Sequence, residues 1–369
     1  MLDQAAEKLV AAEACIDLLR RLSPEDASAE KARVERAFAR GEKLVVGLKK
    51  QPPIDLSSTR QALERVREIC APLGPLGLLS GERAAELELE ARLVEALGTA
   101  RFRELASERF PVPAAALGSE CDGFVAEAST LEVPVPPSVH RSDDEADPKS
   151  LVVRLRVRAR ELGLKVRIRV SREQLATAAT GDGLVMVRQG VLLSAAAGER
   201  IAVHELFAHA LPRARAHFAE FALLRAGTRR SSDDEEGRAI LVERRAGLLD
   251  AERRRELSWR HQAALGVRRG ADPRETVTLL LGVGAPHERA VDLTLRVHRG
   301  GGLARELVYL PSYFALSRAF TAEPALERWF ERGRVGLDAA RVLSRIPPAP
   351  AYDRKASGGA AGPRRSPPA

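Results

Sequence analysis

Cysteines, aromatic residues and long apolar runs are all scarce in this chain of 369 residues. Cys15, Cys70 and Cys121 are odd in number and widely spaced, which excludes a disulfide framework and a CxxC metal site. No apolar run approaches the roughly 18 residues that a membrane-spanning helix needs. The amino terminus has no basic segment followed by an apolar core, so no export signal is predicted. These absences predict a cytoplasmic protein with reduced thiols and no membrane partner.

Lysine is also scarce, since only eight of the 59 basic residues are lysine and the other 51 are arginine. The net charge is +8. Richness in arginine and alanine is typical of a GC-rich genome, which weakens the inference from positive charge to nucleic-acid binding. No zinc finger, helix-turn-helix or strand of alternating aromatic and basic residues accompanies the charge. Nucleic acid is therefore not expected as a partner.

Apolar residues in the first 130 positions recur with the period of α-helices. One helix face is formed by residues that step by four and three: Ala5, Leu9, Ala12, Ile16 and Leu19. Three further helix starts are predicted at serines, namely at Ser23, at Ser57 or Ser58, and at Ser80. The pattern predicts a helical N-terminal region over residues 1–130.

Composition divides the rest of the chain into three segments. Residues 131–150 combine four prolines with acidic residues and lack periodicity, which predicts a linker or an exposed loop. Residues 151–345 contain strand candidates near 166–170 and 183–194 and then long helical segments, which predicts an α+β region with a small mixed sheet. Residues 346–369, rich in proline, glycine, alanine and basic residues, are predicted to form a disordered basic tail.

Two histidines flank a glutamate on the apolar segment that follows the strand candidates. His204 and His209 are five residues apart, and Glu205 follows the first. Zinc is bound by neutral imidazole nitrogens, and a glutamate beside the first ligand can act as a general base, as in the HExxH helix of metallopeptidases. On an ideal helix a five-residue step rotates a side chain by about 140°, so one shared ion requires a bulged or unwound turn between the histidines.

A carboxylate ligand is available from a second helix, which is predicted to begin at Ser231. Glu235 or Glu236 on this helix would complete a His, His, Glu site with an open fourth position. The residues alone leave two interpretations open, a shared metal ion or a pair of histidines that serve the core or the surface.

Three motifs follow one another in the chain: His204-Glu205 with His209, Glu235-Glu236-Gly237, and Arg296 with Arg299-Gly300-Gly301, followed by Arg305 and Tyr309-Leu310. In this order they resemble the motifs HExxxH, an EEGLA-like motif, and RxxRGG followed by TKDxxYL of a metallopeptidase family that was once a domain of unknown function. The family includes the eukaryotic microtubule-associated tyrosine carboxypeptidases and bacterial proteins named for a QEGLA motif and for flavohemoglobin expression. The resemblance covers roughly residues 1–345 and implies a zincin-like α+β fold.

The resemblance implies a zinc-dependent carboxypeptidase, tyrosine carboxypeptidase-like, with one zinc ion per chain. The implied metal ligands are His204, His209 and Glu236. Glu235 is the alternative third ligand, and Glu205 is the implied general base.

The implied substrate is the C-terminus of a peptide or protein. Arg299 and Arg305 are expected to bind its terminal carboxylate, and Tyr309 is expected to stabilise the oxyanion. Glu243 lies seven residues beyond Glu236, on about the same helix face, and is expected to be an outer partner of a ligand histidine.

Several positions depart from the family pattern. Phe207 and Ala208 replace the common glycine and threonine inside HExxxH, which reduces the flexibility available for a bulge. Arg238 replaces an apolar residue after EEG, and Ala304-Arg305-Glu306 replaces Thr-Lys-Asp. A divergent but active enzyme is favoured. The alternatives are a metal-binding pseudoenzyme and a non-enzymatic, arginine-rich regulatory or nucleic-acid-associated protein.

Other candidate groups are interpreted as ordinary surface features. His217, eight residues after His209, is expected to be a surface or capping histidine rather than a substitute ligand. The arginine-rich segments 252–254 and 268–269 are expected to be solvated helix faces.

Overall fold

A computed structural model describes residues 1–47, 54–133 and 139–346. The predicted basic tail lies outside the described residues except for Ile346, and so does the centre of the predicted linker, residues 134–138. Within the described ranges, no helix is both long and apolar enough to cross a membrane.

Helices dominate the described chain, and its strands are short. Seven helices precede the first strand: α1 Leu2–Ile16, α2 Leu18–Arg21, α3 Ala27–Ala39, α4 Ser57–Cys70, α5 Gly74–Glu95, α6 Arg101–Arg109 and α7 Ala115–Ser129. The strands and one helix follow: β1 His140–Arg141, α8 Leu151–Glu161, β2 Arg167–Ser171, β3 Ala178–Gly181, β4 Leu184–Arg188 and β5 Leu192–Leu193.

The second half of the described chain is helical. Its α-helices are α9 Ala195–Val203, α10 Leu211–Ala216, α11 Leu223–Ala226, α12 Ser231–Arg245, α13 Ala251–Arg268, α14 Pro273–Gly282, α15 His287–Val297, α16 Tyr309–Ala322, α17 Glu327–Arg332 and α18 Leu337–Leu343. A π-helical turn occupies His204–Ala210, and short 3₁₀ turns lie at Arg299–Gly301, Arg305–Val308 and Pro324–Leu326. Helices with small sheets make the class α+β, as predicted.

The helix predictions for the N-terminal region are right about which faces are buried and less accurate about where helices begin. α1 buries four of the five predicted residues: Ala5, Leu9, Ala12 and Ile16. The helix ends where Asp17 adopts a left-handed conformation, with φ of 42°. Leu19 lies beyond this break and its side chain is exposed, so the prediction that it shares the face is wrong.

Two predicted helix starts are also wrong. Asp26, rather than Ser23, caps α3, because its carboxylate accepts hydrogen bonds from the backbone N–H groups of Ser28 and Ala29. α5 begins at Gly74 instead of Ser80, with a proline in its first turn where the missing N–H costs nothing.

Two small sheets lie between α7 and α9. β4 pairs parallel with β2 and antiparallel with β3, so the order is β2-β4-β3 and β3 is an edge strand. β1, in the described part of the predicted linker, pairs antiparallel with β5. The strands predicted near 166–170 and 183–194 are present. β3 was missed because its sequence, Ala-Ala-Thr-Gly, has little intrinsic preference for strands.

The largest hydrophobic core joins the two ends of the described chain. It contains buried residues from Ala5 to Ala128 and from Ala216 to Leu343. The helical N-terminal region therefore shares its core with the second half of the chain. A separate core packs α8 and the three-stranded sheet against α9 and the π-helical turn. The π-helical turn thus rests on the sheet on one side and, through α12, on the helices on the other.

Candidate metal centre

The π-helical turn carries both histidines of the HExxxH motif. A π turn is wider than an α turn because each hydrogen bond spans one more residue. A five-residue step therefore returns the side chain close to the same face. The rings of His204 and His209 have centroids 5.1 Å apart. The bulge that a shared ion requires is present in the structure.

Arg238 of α12 contacts the backbone of this turn. Its guanidinium donates hydrogen bonds to the carbonyl oxygens of Phe207, at 3.2 Å, and Ala208, at 3.1 Å. Buried carbonyls whose helical hydrogen bonds are displaced need another donor. Two departures from the family pattern, the Phe207-Ala208 pair and Arg238, are thus in direct contact. The hydrogen bonds of Arg238 therefore stabilise a turn that contains no glycine to make it flexible.

Glu236 of α12 forms a buried cluster with both histidines. Its Oε2 atom lies 3.4 Å from Nε2 of His204 and 3.9 Å from Nε2 of His209. One ligand atom from each of the three residues lies within 4.8 Å of the others. Tetrahedral ligands at about 2 Å from a zinc ion are about 3.3 Å apart. The spacing of the cluster is therefore suited to a metal ion.

The Oε2 atom of Glu236 also lacks a partner of its own. It is buried and accepts no hydrogen bond from any of the described residues. A buried carboxylate oxygen without a donor is costly, and here it faces two imidazole nitrogens. An orphaned acceptor of this kind fits a bound cation, so these three residues could hold a metal ion.

Gly237 allows α12 to pack closely against α16. A Cβ atom at this position would overlap the backbone of Ser312 and lie 2.6 Å from the backbone nitrogen of Tyr313. No side chain fits this gap without moving a helix. The glycine of the EEG motif is therefore required by the packing that holds Glu236 in place.

A carboxylate lies behind each histidine. Oε1 of Glu243 is 2.6 Å from Nδ1 of His204, and Oε2 of Glu235 is 3.4 Å from Nδ1 of His209. Outer carboxylates of this kind orient a ligand imidazole and leave its other nitrogen for the metal. Glu235, the alternative third ligand, thus sits behind His209, whereas Glu236 faces both rings.

Buried arginines keep these outer carboxylates ionised. Arg253 donates two hydrogen bonds to Glu243, at 2.8 and 3.0 Å. Burial raises the pKa of Glu243, but the charges of Arg253 and His204 outweigh burial and lower the pKa to about 2. Arg213 holds Glu235 in the same way, with a hydrogen bond of 2.9 Å. The two histidines are therefore backed by permanent negative charge.

The prediction that the arginine-rich segments 252–254 and 268–269 are solvated is wrong at two positions. Arg253 is only 2% exposed because it is paired with Glu243. Arg268 donates to the carbonyl oxygens of Ala106 and Gly302 and so joins two distant segments. Neither partner was evident from the sequence, because charge patterning shows the neighbours along a helix and not those across a core.

Glu205 lies next to the cluster with its side chain 6% exposed. Its Oε2 atom accepts a hydrogen bond of 2.7 Å from Oγ1 of Thr180. Thr180 is paired with Val185 in the β3–β4 register, and this register alone brings it to the glutamate. Sequence reasoning missed Thr180 because it missed β3.

A cleft open to solvent leads to Glu205 and the cluster. Edge strand β3 forms part of one wall. Tyr309, the first residue of α16, also lines the cleft, and the centre of its ring lies 5.1 Å from the guanidinium carbon of Arg260. The cleft is lined by many arginines as well as by acidic residues.

The two arginines expected to bind substrate also line this cleft, but both have protein partners. Arg305 donates to Oε1 of Glu236 at 3.1 Å. Arg299 donates to the carbonyl oxygen of Arg296 at 3.1 Å, and burial lowers its pKa to about 10. Arg305 therefore contacts the candidate metal ligand directly, and its role toward a substrate stays a prediction.

His217 lies apart from the cluster, as predicted. Its side chain is exposed and its Nε2 atom is 3.3 Å from Oδ1 of Asp182.

Comparison with known proteins places the chain in a family. The family model of the microtubule-associated tyrosine carboxypeptidase matches residues 39–347. The chain belongs to this family. No curated protein and no solved structure matches it. The matched range includes the whole cluster of His204, His209 and Glu236 as well as Glu205. The predicted family is confirmed.

The contact of Arg238 with the π turn can be tested in this member of the microtubule-associated tyrosine carboxypeptidase family. We expect Arg238→Met to weaken zinc binding by about 10-fold, the lower end of the range for outer partners of a metal site. Two buried carbonyls lose their donor, so the turn that brings the histidines together relaxes. Competition with a chromophoric chelator measures the affinity.

Arg245→Met is the matched control for this family member, since Arg245 lies on the same helix and pairs with Glu327 at the surface. Its zinc affinity should equal that of the wild type. A lower melting temperature of Arg238→Met with unchanged zinc affinity would contradict the prediction and leave Arg238 a role in stability alone.

Proposed function

We propose that this protein is a zinc-dependent carboxypeptidase with a zincin-like arrangement, acting on the C-termini of peptides or proteins. The observation that carries the proposal is the buried cluster of His204, His209 and Glu236, with an unpartnered carboxylate oxygen, beside the buried Glu205. A zinc ion held by these three residues supplies Lewis-acid polarisation of a carbonyl oxygen and activation of water.

Glu205 acts as the general base in this proposal. It takes a proton from the attacking water, whose oxygen bonds to the scissile carbonyl carbon, and delivers the proton to the leaving amine when the C–N bond breaks. The hydrogen bond from Thr180 fixes one carboxylate oxygen of Glu205 and leaves the other for the reaction. Tyr309 donates its hydroxyl proton as a hydrogen bond to the developing oxyanion.

The edge strand β3 supports a peptide as the substrate. β3 pairs with β4 on one side, and its residues 178–181 line the cleft. An unpaired strand edge offers backbone donors and acceptors to an extended chain, independently of that chain's side chains. We propose that the substrate lies antiparallel or parallel to β3 with its scissile bond beside Glu205.

The side chain that is removed is proposed from the family alone. The family description names tyrosine, and peptides ending in tyrosine are therefore the first substrates to test. A cytoplasmic location is proposed on the sequence and on the three cysteines, which are free thiols in the structure.

The function is tested by incubating the purified protein with peptides that end in tyrosine and analysing the products by mass spectrometry. We expect the loss of one C-terminal residue, its suppression by a chelator and its recovery with zinc. Internal cleavage, or turnover that resists chelation, contradicts the proposal. Zinc binding without turnover would instead favour the metal-bound pseudoenzyme.

A further inference from the structure

Arg200 is a buried cation without a hydrogen-bonded partner among the described residues. It is 7% exposed, lies on α9, and lines the cleft together with His204 and Glu205. The nearest acidic atom is Oε2 of Glu256, at 3.5 Å, and the geometry is not that of a hydrogen bond. None of its nitrogens is both buried and without a partner, so the guanidinium reaches the open cleft and can bind a ligand there.

Glu256 does not serve as a dedicated counterion for Arg200. Its two oxygens already accept hydrogen bonds from Arg260, at 2.6 Å, and Arg253, at 3.1 Å. Burial lowers the pKa of Arg200, and the charge of Arg253 lowers it further. Four guanidinium groups, those of Arg200, Arg253, Arg260 and Arg289, lie within 3.7 Å of this one carboxylate, so Glu256 is shared among them.

Seven other arginines that line the cleft are engaged. Each donates a hydrogen bond to a protein oxygen: Arg213 to Glu235, Arg253 to Glu243, Arg260 to Glu256, Arg296 to Glu306, Arg299 to the carbonyl of Arg296, Arg305 to Glu236, and Arg334 to Glu13. Arg200 differs from this set in having its donors available to a bound anion.

The position of Arg200 relates it to the candidate metal ligand. It lies four residues before His204, so the two side chains project from the same helix face one turn apart. In a peptide, the terminal carboxylate carbon is three covalent bonds from the scissile carbonyl carbon when the last residue is removed. A cation one helix turn from the metal ligand is therefore at a suitable position to bind that carboxylate.

We propose that Arg200 binds the C-terminal carboxylate of the substrate through paired hydrogen bonds and so restricts cleavage to the last residue. The proposal rests on the proposed carboxypeptidase function and assigns to Arg200 the role that sequence reasoning gave to Arg299 and Arg305. Planar pairing of guanidinium and carboxylate accounts for the choice of arginine. Arg200 is then a determinant of specificity for free-acid peptides.

The test measures binding, so that it does not depend on turnover. One fluorescein-labelled peptide ending in tyrosine is prepared as the free acid and as the C-terminal amide. Both are titrated into zinc-loaded protein that carries Glu205→Gln. The free acid should bind at least about 30-fold more tightly than the amide, and adding Arg200→Gln should reduce this ratio to below about 3-fold. Arg200→Lys should give an intermediate ratio, because it keeps the charge but loses the paired donors.

Arg289→Gln is the matched control, since Arg289 lines the same cleft and lies 3.7 Å from Glu256. It removes the same charge and should leave the ratio unchanged. An equal fall with Arg289→Gln would show a general charge effect and overturn the proposal. Melting temperatures of both variants verify that they are folded.

Two further outcomes separate this proposal from the proposed function. If the ratio falls with Arg305→Gln or Arg299→Gln and not with Arg200→Gln, the role of Arg200 is overturned while the carboxypeptidase function stands. If free acid and amide bind alike, or neither binds, the proposal is overturned as well. The zinc content and peptide hydrolysis of the wild type then show separately whether the function has also failed.

Discussion

Glu205→Gln is expected to lower the turnover of a cleaved peptide by about 10²–10⁴-fold, the usual contribution of a positioned general base. Glutamine has nearly the same shape and can keep the contact with Thr180, so the fold and the metal cluster should be unchanged. What is lost is the ability to accept a proton from water. The measurement is kcat for release of the terminal residue, with the zinc content determined on the same sample.

Glu199→Gln provides the control for the loss of a carboxylate charge near the site. Glu199 lies on α9, pairs with Arg154 and Arg158, and does not line the cleft. Its turnover should stay within about 2-fold of the wild type, because a partly exposed ion pair contributes little. If Glu205→Gln retained full activity, Glu205 would not be the base and the proposed mechanism would be wrong.

His204→Ala is expected to abolish zinc binding. The wild type should contain one zinc ion per chain by elemental analysis, and the variant should contain none after dialysis. The loss should exceed the roughly 10–100-fold weakening caused by removal of an outer partner, because a ligand itself is missing. Removing His204 also leaves the buried Glu243 without its imidazole partner, so a lower melting temperature is expected in the same experiment.

His217→Ala is the corresponding control, because His217 is an exposed histidine paired only with Asp182 among the described residues. Its zinc content should match that of the wild type. Equal zinc in the wild type and in His204→Ala would place the metal elsewhere. No zinc in either protein would leave His204 and His209 as structural residues and favour a non-enzymatic role.

The structure also bears on the alternative based on positive charge. Many of the arginines are buried in ion pairs or hydrogen-bonded to backbone carbonyls, among them Arg83, Arg109, Arg188, Arg238, Arg253, Arg296 and Arg334. Charge that is neutralised inside a protein does not attract a polyanion. The arginine content therefore reflects internal pairing to a large extent, and it is a weak argument for nucleic-acid binding.

Sequence reasoning identified the cluster because its chemistry is local. His204, Glu205 and His209 lie within six consecutive residues, and the paired glutamates begin a second helix. Spacing alone also showed that a bulge was necessary between the histidines. Which glutamate faces them was not decided by spacing, because Glu235 and Glu236 are adjacent and only the packing of α12, close to α16 at Gly237, sets its rotation.

The contacts that support the cluster join residues that are far apart in the chain, and the sequence did not predict them. Thr180 reaches Glu205 through the register of a strand whose own sequence has little strand character. Arg334, late in the chain, donates a hydrogen bond of 2.6 Å to Glu13 of the first helix. Arg238 donates a hydrogen bond to the π turn, and its position in the sequence does not indicate this contact.

From the sequence we could predict the residue types that carry the chemistry, most of the buried positions of the first helix and the family. These follow from side-chain chemistry and from periodicity over a few helix turns, which depend on near neighbours. Which guanidinium groups are hydrogen-bonded follows from the packing of the whole chain, as the contrast between Arg253 and Arg200 shows. Pairing depends on groups that are distant in the chain and share a low-dielectric core. The local sequence therefore does not indicate which groups will pair.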